Sequence, residues 1–194
     1  MTKMKMMITA AALALSAGAA NAAVYYATDV VDYSVGSCSP KSCTGDRYDK
    51  MNALGAPDEK FTSLGMGGSI SLGFGTSFSG QNKVTGYEIT YSAGTPDNTH
   101  LEAVDVYSVM GGVATLLGRI TNVGGTVKSV MSYLPFEHIK LVDVTRAEFP
   151  GTTSFDGFDV DAVAIAAVPL PAAGLMLLGG LGGFAALRRR KKAA

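Results

Sequence analysis

The sequence predicts an all-β protein, a single jelly-roll-like β-sandwich carried between an N-terminal signal peptide and a C-terminal transmembrane helix. Three observations predict it. The central region alternates short runs rich in Val, Ile, Tyr and Thr with glycine turns. Such residues fit the pleated, half-buried surface of a strand. No stretch of that region sustains an apolar period of 3.6 residues, which an amphipathic helix requires. Each end of the chain joins an apolar segment to lysines or arginines, a pattern that belongs to membrane topology.

Taken in order, Lys3 and Lys5 form a positive n-region, Met6 to Leu15 an apolar h-region, and Ala20-Asn21-Ala22 an A-x-A site. This is a signal peptide over residues 1–22, with the cleaved bond between Ala22 and Ala23. Residues 23–167 then form the extracytoplasmic domain. Cys38 and Cys43, its cysteines, are separated by a four-residue spacer in Cys-Ser-Pro-Lys-Ser-Cys. In an oxidising compartment they read as a local disulfide. Without a nearby His or a further Cys they make a poor zinc site.

The strands follow. Ile70–Phe74 alternates large apolar with small residues; Val84–Ser92 and Leu101–Val109 are β-rich and separated by the turn cluster Ala93–Asn98. Gly111-Gly112 joins Leu101–Val109 to Val113–Ile120, a hairpin signal. Val127–Tyr133, His138–Val144 and Phe158–Ala166 complete the set. Seven or eight short strands with frequent turns indicate a β-sandwich. Gly65-Met66-Gly67-Gly68 precedes a strand and no helix, so it reads as a tight turn and not as a phosphate cradle.

The formal net charge is zero, but the two ends conceal an acidic middle. Between residues 23 and 167 nine Lys/Arg face all sixteen Asp/Glu, a net charge of −7. That excludes nucleic acid as a natural partner, because such binding neutralises phosphates. It leaves divalent cations as candidates. Asp156, Asp159 and Asp161 lie close in sequence, and alternate strand residues share a face. Asp58 and Glu59 lie in the loop after Pro57, which would approach the same end of a sandwich. The calcium candidates are therefore Asp58, Asp159 and Asp161, set against a plainer reading in which they face solvent or cap turns. No catalytic residue is assigned: the chain lacks G-x-S-x-G, H-E-x-x-H and G-x-x-x-x-G-K-[ST]. His100 and His138 are read as solvated or structurally bonded.

The C-terminal segment, residues 168–194, opens with Val168-Pro169-Leu170-Pro171-Ala172. The uncharged stretch Ala172–Leu187 follows, then Arg188-Arg189-Arg190-Lys191-Lys192. Pro169 and Pro171 hold the motif extended. The apolar run is slightly short for a membrane span, and the basic cluster favours a cytoplasmic end. This arrangement resembles the VPLPA-CTERM variant of the PEP-CTERM sorting signals of bacterial surface proteins. The resemblance implies that an exosortase-type membrane enzyme in a Gram-negative bacterium handles the tail, often in a species that makes exopolysaccharide.

A second resemblance covers about Asp46 to Ile165. It rests on the loop Asn52–Asp58, the segment Ser63–Phe74, Val104–Ser108, Leu116–Gly118 and Gly157–Val163. The series is similar to a galactose-binding-like (discoidin-like) jelly roll. That implies an eight-stranded sandwich whose end loops bind carbohydrate or calcium in some members. The expectation is a non-enzymatic protein of the cell envelope, cell surface or extracellular matrix, with exopolysaccharide as a candidate partner. The alternative is a secreted polysaccharide hydrolase or lyase.

Overall fold

A computed structural model describes residues 23–90 and 99–168 of the chain. The signal peptide, the turn Ala93–Asn98 and the tail from Pro169 onward lie outside the described residues. Among the described residues, no helix is long and apolar enough to cross a membrane.

Ten strands form two five-stranded antiparallel sheets. They are β1 (Val24–Tyr26), β2 (Asp29–Ser34), β3 (Thr62–Ser63), β4 (Ser69–Phe78) and β5 (Asn82–Glu88). After these come β6 (Ala103–Met110), β7 (Val113–Thr121), β8 (Val127–Ser132), β9 (Phe136–Asp143) and β10 (Asp159–Ala167). One sheet runs β1-β10-β5-β8, with β3 also paired to β10; the other runs β2-β4-β9-β6-β7. Among the described residues, helix is confined to two 3-10 turns, Asp46–Tyr48 and Lys50–Ala53, and to a single α-turn, α1 (Thr145–Glu148). The expected β-sandwich is present.

The inner faces supply the core. Ile70, Leu72 and Phe74 of β4, Val104 and Val106 of β6, and Ile139 and Leu141 of β9 meet Val84 of β5 and Val160, Val163 and Ile165 of β10. Apolar burial of this kind is the main favourable term in folding. Phe78 closes one end: it stacks on Phe136 at 5.0 Å and meets Tyr25 of the opposite sheet edge-on at 5.4 Å. The offset and edge-on geometries are those that aromatic quadrupoles favour.

Two bulges change the inward phase of their strands. In β10 the register shifts between Val160 and Ala162, so Phe158 and Val160 face the core before the shift and Val163 and Ile165 after it. In β2 the shift lies between Val30 and Asp32, and the residues packed on the core are Val30 and Tyr33, three positions apart. An extra residue in one strand produces such a break in the period of two.

The disulfide is formed: Cys38 and Cys43 are bonded, with Cα atoms 5.3 Å apart. Beside it the chain crosses itself closely. Gly36 N–H donates to the Leu64 carbonyl and Ser37 N–H to that of Met66. A Cβ at Gly68 would lie 1.9 Å from the Leu64 oxygen, and one at Gly36 2.3 Å from the Met66 oxygen. Only glycine allows that backbone approach.

Candidate functional site

Strand ends and loops at one end of the sandwich converge on a cleft of about 640 Å³. Its walls include Phe61, Phe155, Ile89, Lys41, Arg47 and His100, with Asp156 and Asp159. The volume falls in the range of small-ligand sites, about 300–1,000 Å³. The lining is mixed, with aromatic faces, two cations and carboxylates side by side. The Arg47 guanidinium lies 5.4 Å from the Phe61 ring centre and 5.6 Å from that of Phe155; the Lys41 ammonium is 4.3 Å from the latter. These are cation–π distances.

Behind the cleft four carboxylates are buried: Glu88 at the end of β5, Glu102 just before β6, and Asp156 and Asp159 entering β10. Their relative exposures are 4%, 0%, 0% and 4%. Arg47 reaches them from the 3-10 turn, its guanidinium 2.8 Å from Asp156 and 3.5 Å from Asp159. The Ser63 hydroxyl donates to Asp159. Asn122, following β7, organises the rest. Its Nδ2 donates to Glu88 Oε1 at 3.1 Å, Thr90 Oγ1 at 3.0 Å and the His100 carbonyl at 2.9 Å. Its Oδ1 accepts the Glu102 N–H at 3.0 Å.

Burial penalises the charged forms. It pushes Glu88 up to about 10, aided by neighbouring Glu102. Glu102 is raised well above the carboxylate range, with burial again the largest cause. Asp159 is pushed up to about 8 by burial, then by Asp156, against the opposing Ser63 hydrogen bond and Arg47 charge.

Asp143, at the end of β9, is a second buried carboxylate with a different character, because four hydrogen bonds satisfy it. Its Oδ1 accepts from Gly67 N–H at 2.9 Å and Thr145 N–H at 3.3 Å. Oδ2 accepts from the Thr145 hydroxyl at 2.6 Å and Phe158 N–H at 2.9 Å. The Gly67 N–H that an anion would need is therefore taken by the protein itself. The glycine turn is structural.

Of the sequence candidates, Asp159 joins the buried cluster. Asp161, in the bulge itself, accepts the Asp58 N–H at 3.1 Å, while the Asp58 carboxylate is half-exposed and faces Lys60 at 3.4 Å. Asp58 and Asp161 thus meet each other, and Asp159 has Ser63 and Arg47 as its partners. Among the described residues, the side chains whose donor atoms come within 4.8 Å of one another are His100, Glu102 and Asp156. Sequence reasoning had missed Glu88, Glu102, Asn122 and Arg47. No local motif marks them, since they come from four distant segments. His138 is half-buried in β9, opposite Gly73 and Val109.

No family model and no curated protein matches the chain. Among solved structures it is similar to the family 32 carbohydrate-binding module of Streptococcus pneumoniae EndoD, at 14% identity and a TM-score of 0.47 over 73% of this chain and 95% of that one. It is also similar to the family 32 module of C. perfringens NanJ in complex with galactose, at 15% identity, TM-score 0.39, over 75% of this chain and 92% of that one. A third is the GH31 CBM32-2 module bound to GalNAc, at 11% identity, TM-score 0.41, over 77% and 100%. The likeness is one of β-sandwich form.

Proposed function

We propose that the chain is an exported protein of the cell surface or extracellular matrix of a Gram-negative bacterium. Its tail is processed by an exosortase-type membrane enzyme, and its β-sandwich contacts carbohydrate. The observation that carries this reading is where the folded unit stops. It spans Ala23–Val168, from the residue after the expected signal cleavage to the first residue of the sorting motif. Every described strand lies inside those limits, so losing both ends removes none of the described strands. The disulfide supports an oxidising compartment.

The cleft supports the carbohydrate part of the reading. Phe61 and Phe155 offer apolar faces to the C–H surface of a sugar, while Lys41, Arg47, Thr90 and His100 offer groups for its hydroxyls. Calcium at Asp58, Asp159 and Asp161 remains part of the proposal. A thermal melt in EDTA that equals the melt in calcium removes it, because a ligand of the folded state must raise stability.

Two measurements test the main reading. Intact mass of the native protein should show loss of residues 1–22 and a new C-terminus between Val168 and Ala172; a protein still ending at Ala194 refutes sorting. Exopolysaccharide should bind without being cut, and Phe155→Ala should weaken binding. Release of reducing ends would replace the binding module with a hydrolase, and release of unsaturated ends with a lyase.

A further inference from the structure

The buried carboxylates at the floor of the cleft have fewer donors than they need. Asn122 serves one oxygen of Glu88, Ser63 one oxygen of Asp159, and Arg47 lies against Asp156 Oδ2. Neither oxygen of Asp156 receives a hydrogen bond, and Arg47 Nε and the Tyr48 hydroxyl are buried beside it without an acceptor. Glu102 is fully buried and meets Glu88, Ser154 and His100, so its carboxyl group shares its donors with Glu88. A buried carboxylate left in this state costs several kcal/mol unless something positive completes it. His100 Nε2 lies 3.2 Å from Glu102 Oε1, and these two side chains with Asp156 each turn a donor atom toward one point.

We propose that His100, Glu102 and Asp156 hold a divalent transition-metal ion of the Mn²⁺ or Zn²⁺ class, with Asp159 as the adjacent carboxylate. One imidazole with two carboxylates is a donor set that suits such ions. Calcium prefers six to eight oxygens, more than this trio offers. Three donors bonded to one ion at about 2.1 Å sit roughly 3.0–3.4 Å apart. The donor atoms lie within 4.8 Å of one another, so binding an ion draws them closer together. Arg47 approaches Asp156 through Oδ2, which leaves Oδ1 without a cation beside it. Asn122 holds both the His100 carbonyl and the Glu102 N–H, fixing the segment that carries two of the three ligands. The proposed ion site lies in the wall and floor of the same cleft, but its test does not depend on the glycan reading, because ion uptake is measured with no sugar present.

The test is a titration of the EDTA-treated, desalted protein with MnCl₂, reading free Mn²⁺ by its six-line electron paramagnetic resonance signal. One Mn²⁺ should bind per chain, equimolar ZnCl₂ should displace it, and equimolar CaCl₂ should not. Glu102→Gln should weaken Mn²⁺ binding by about tenfold or more. His100→Ala, a half-buried position at the cleft wall, should do the same and serves if the first variant does not fold. No bound Mn²⁺, displacement by calcium as readily as by zinc, or wild-type affinity in the folded variants would each overturn the proposal.

Discussion

Asp143→Ala is expected to be the most damaging single polar substitution in this fold. The carboxylate joins the glycine turn before β4 (Gly67), the start of α1 (Thr145) and the entrance to β10 (Phe158). It sits on one sheet and holds the backbone that leads into the other. Removing it strands three backbone N–H groups, while the Thr145 hydroxyl retains the Ala103 carbonyl at 3.3 Å. An orphaned buried N–H costs about 1–3 kcal/mol. Two of the three, at Thr145 and Phe158, are buried, while Gly67 is exposed and can turn to water, so the loss amounts to roughly 4 kcal/mol, in the exceptional range for one substitution. At about 2–4 °C per kcal/mol for a domain of this size, the melting temperature should fall by about 8–16 °C. Asp143→Asn should lie between, because one oxygen keeps two of the four bonds while the new amide faces the donors of the other two. Calorimetry on the wild type and both variants measures this. A fall of less than about 2 °C for Asp143→Ala would show that the latch contributes little and would refute the reasoning.

Two further outcomes follow from the same structure. Gly68→Ala should destabilise the fold by about 1–3 kcal/mol or prevent folding, because its Cβ meets the Leu64 carbonyl at 1.9 Å; chemical denaturation reads this, and an unchanged midpoint contradicts it. Tyr33, raised to about 12 by burial, donates its hydroxyl to the Ser63 carbonyl at 2.8 Å. The folded pKa is above the unfolded one, so this contribution to stability is present below about pH 10 and is lost as pH rises from there through 12. Ultraviolet titration of the folded protein should show a late-ionising tyrosine that disappears in Tyr33→Phe; its persistence in the variant would assign it elsewhere.

Much of the sandwich was legible in the sequence because most of its strands are regular. β6 to β10 fall within two residues of the expected runs; β6 and β9 set apolar side chains at alternate positions against the core, while β7 and β8 reach it only through Leu117, Ile120 and Val130. β4 runs past Phe74 to Phe78 through the glycine at position 75, and β5 stops at Glu88 instead of Ser92. β1 and β3 were too short to read. β2 was hidden by its bulge, which spaces Val30 and Tyr33 three apart and leaves Val31 exposed between them. The cysteine pair and the glycine turn were readable because their partners are local or their cause is steric. The carboxylate cluster was readable only at Asp156 and Asp159. Glu88, Glu102 and Asn122 stand at the ends of different strands, and only the pairing of those strands gathers them.

The strand order also sets a timetable. β10 pairs with β1, β3 and β5, so one sheet has no middle until the last strand arrives. The other sheet, β2-β4-β9-β6-β7, has all its members once Asp143 has emerged. During synthesis at about 5–20 residues per second, the two dozen residues from there to Ala167 take roughly one to five seconds. For that interval one sheet can present Ile70, Leu72, Ile139 and Leu141 with its cover incomplete. The period just before β10 docks is when this chain is most open to a chaperone, or to a second copy of itself.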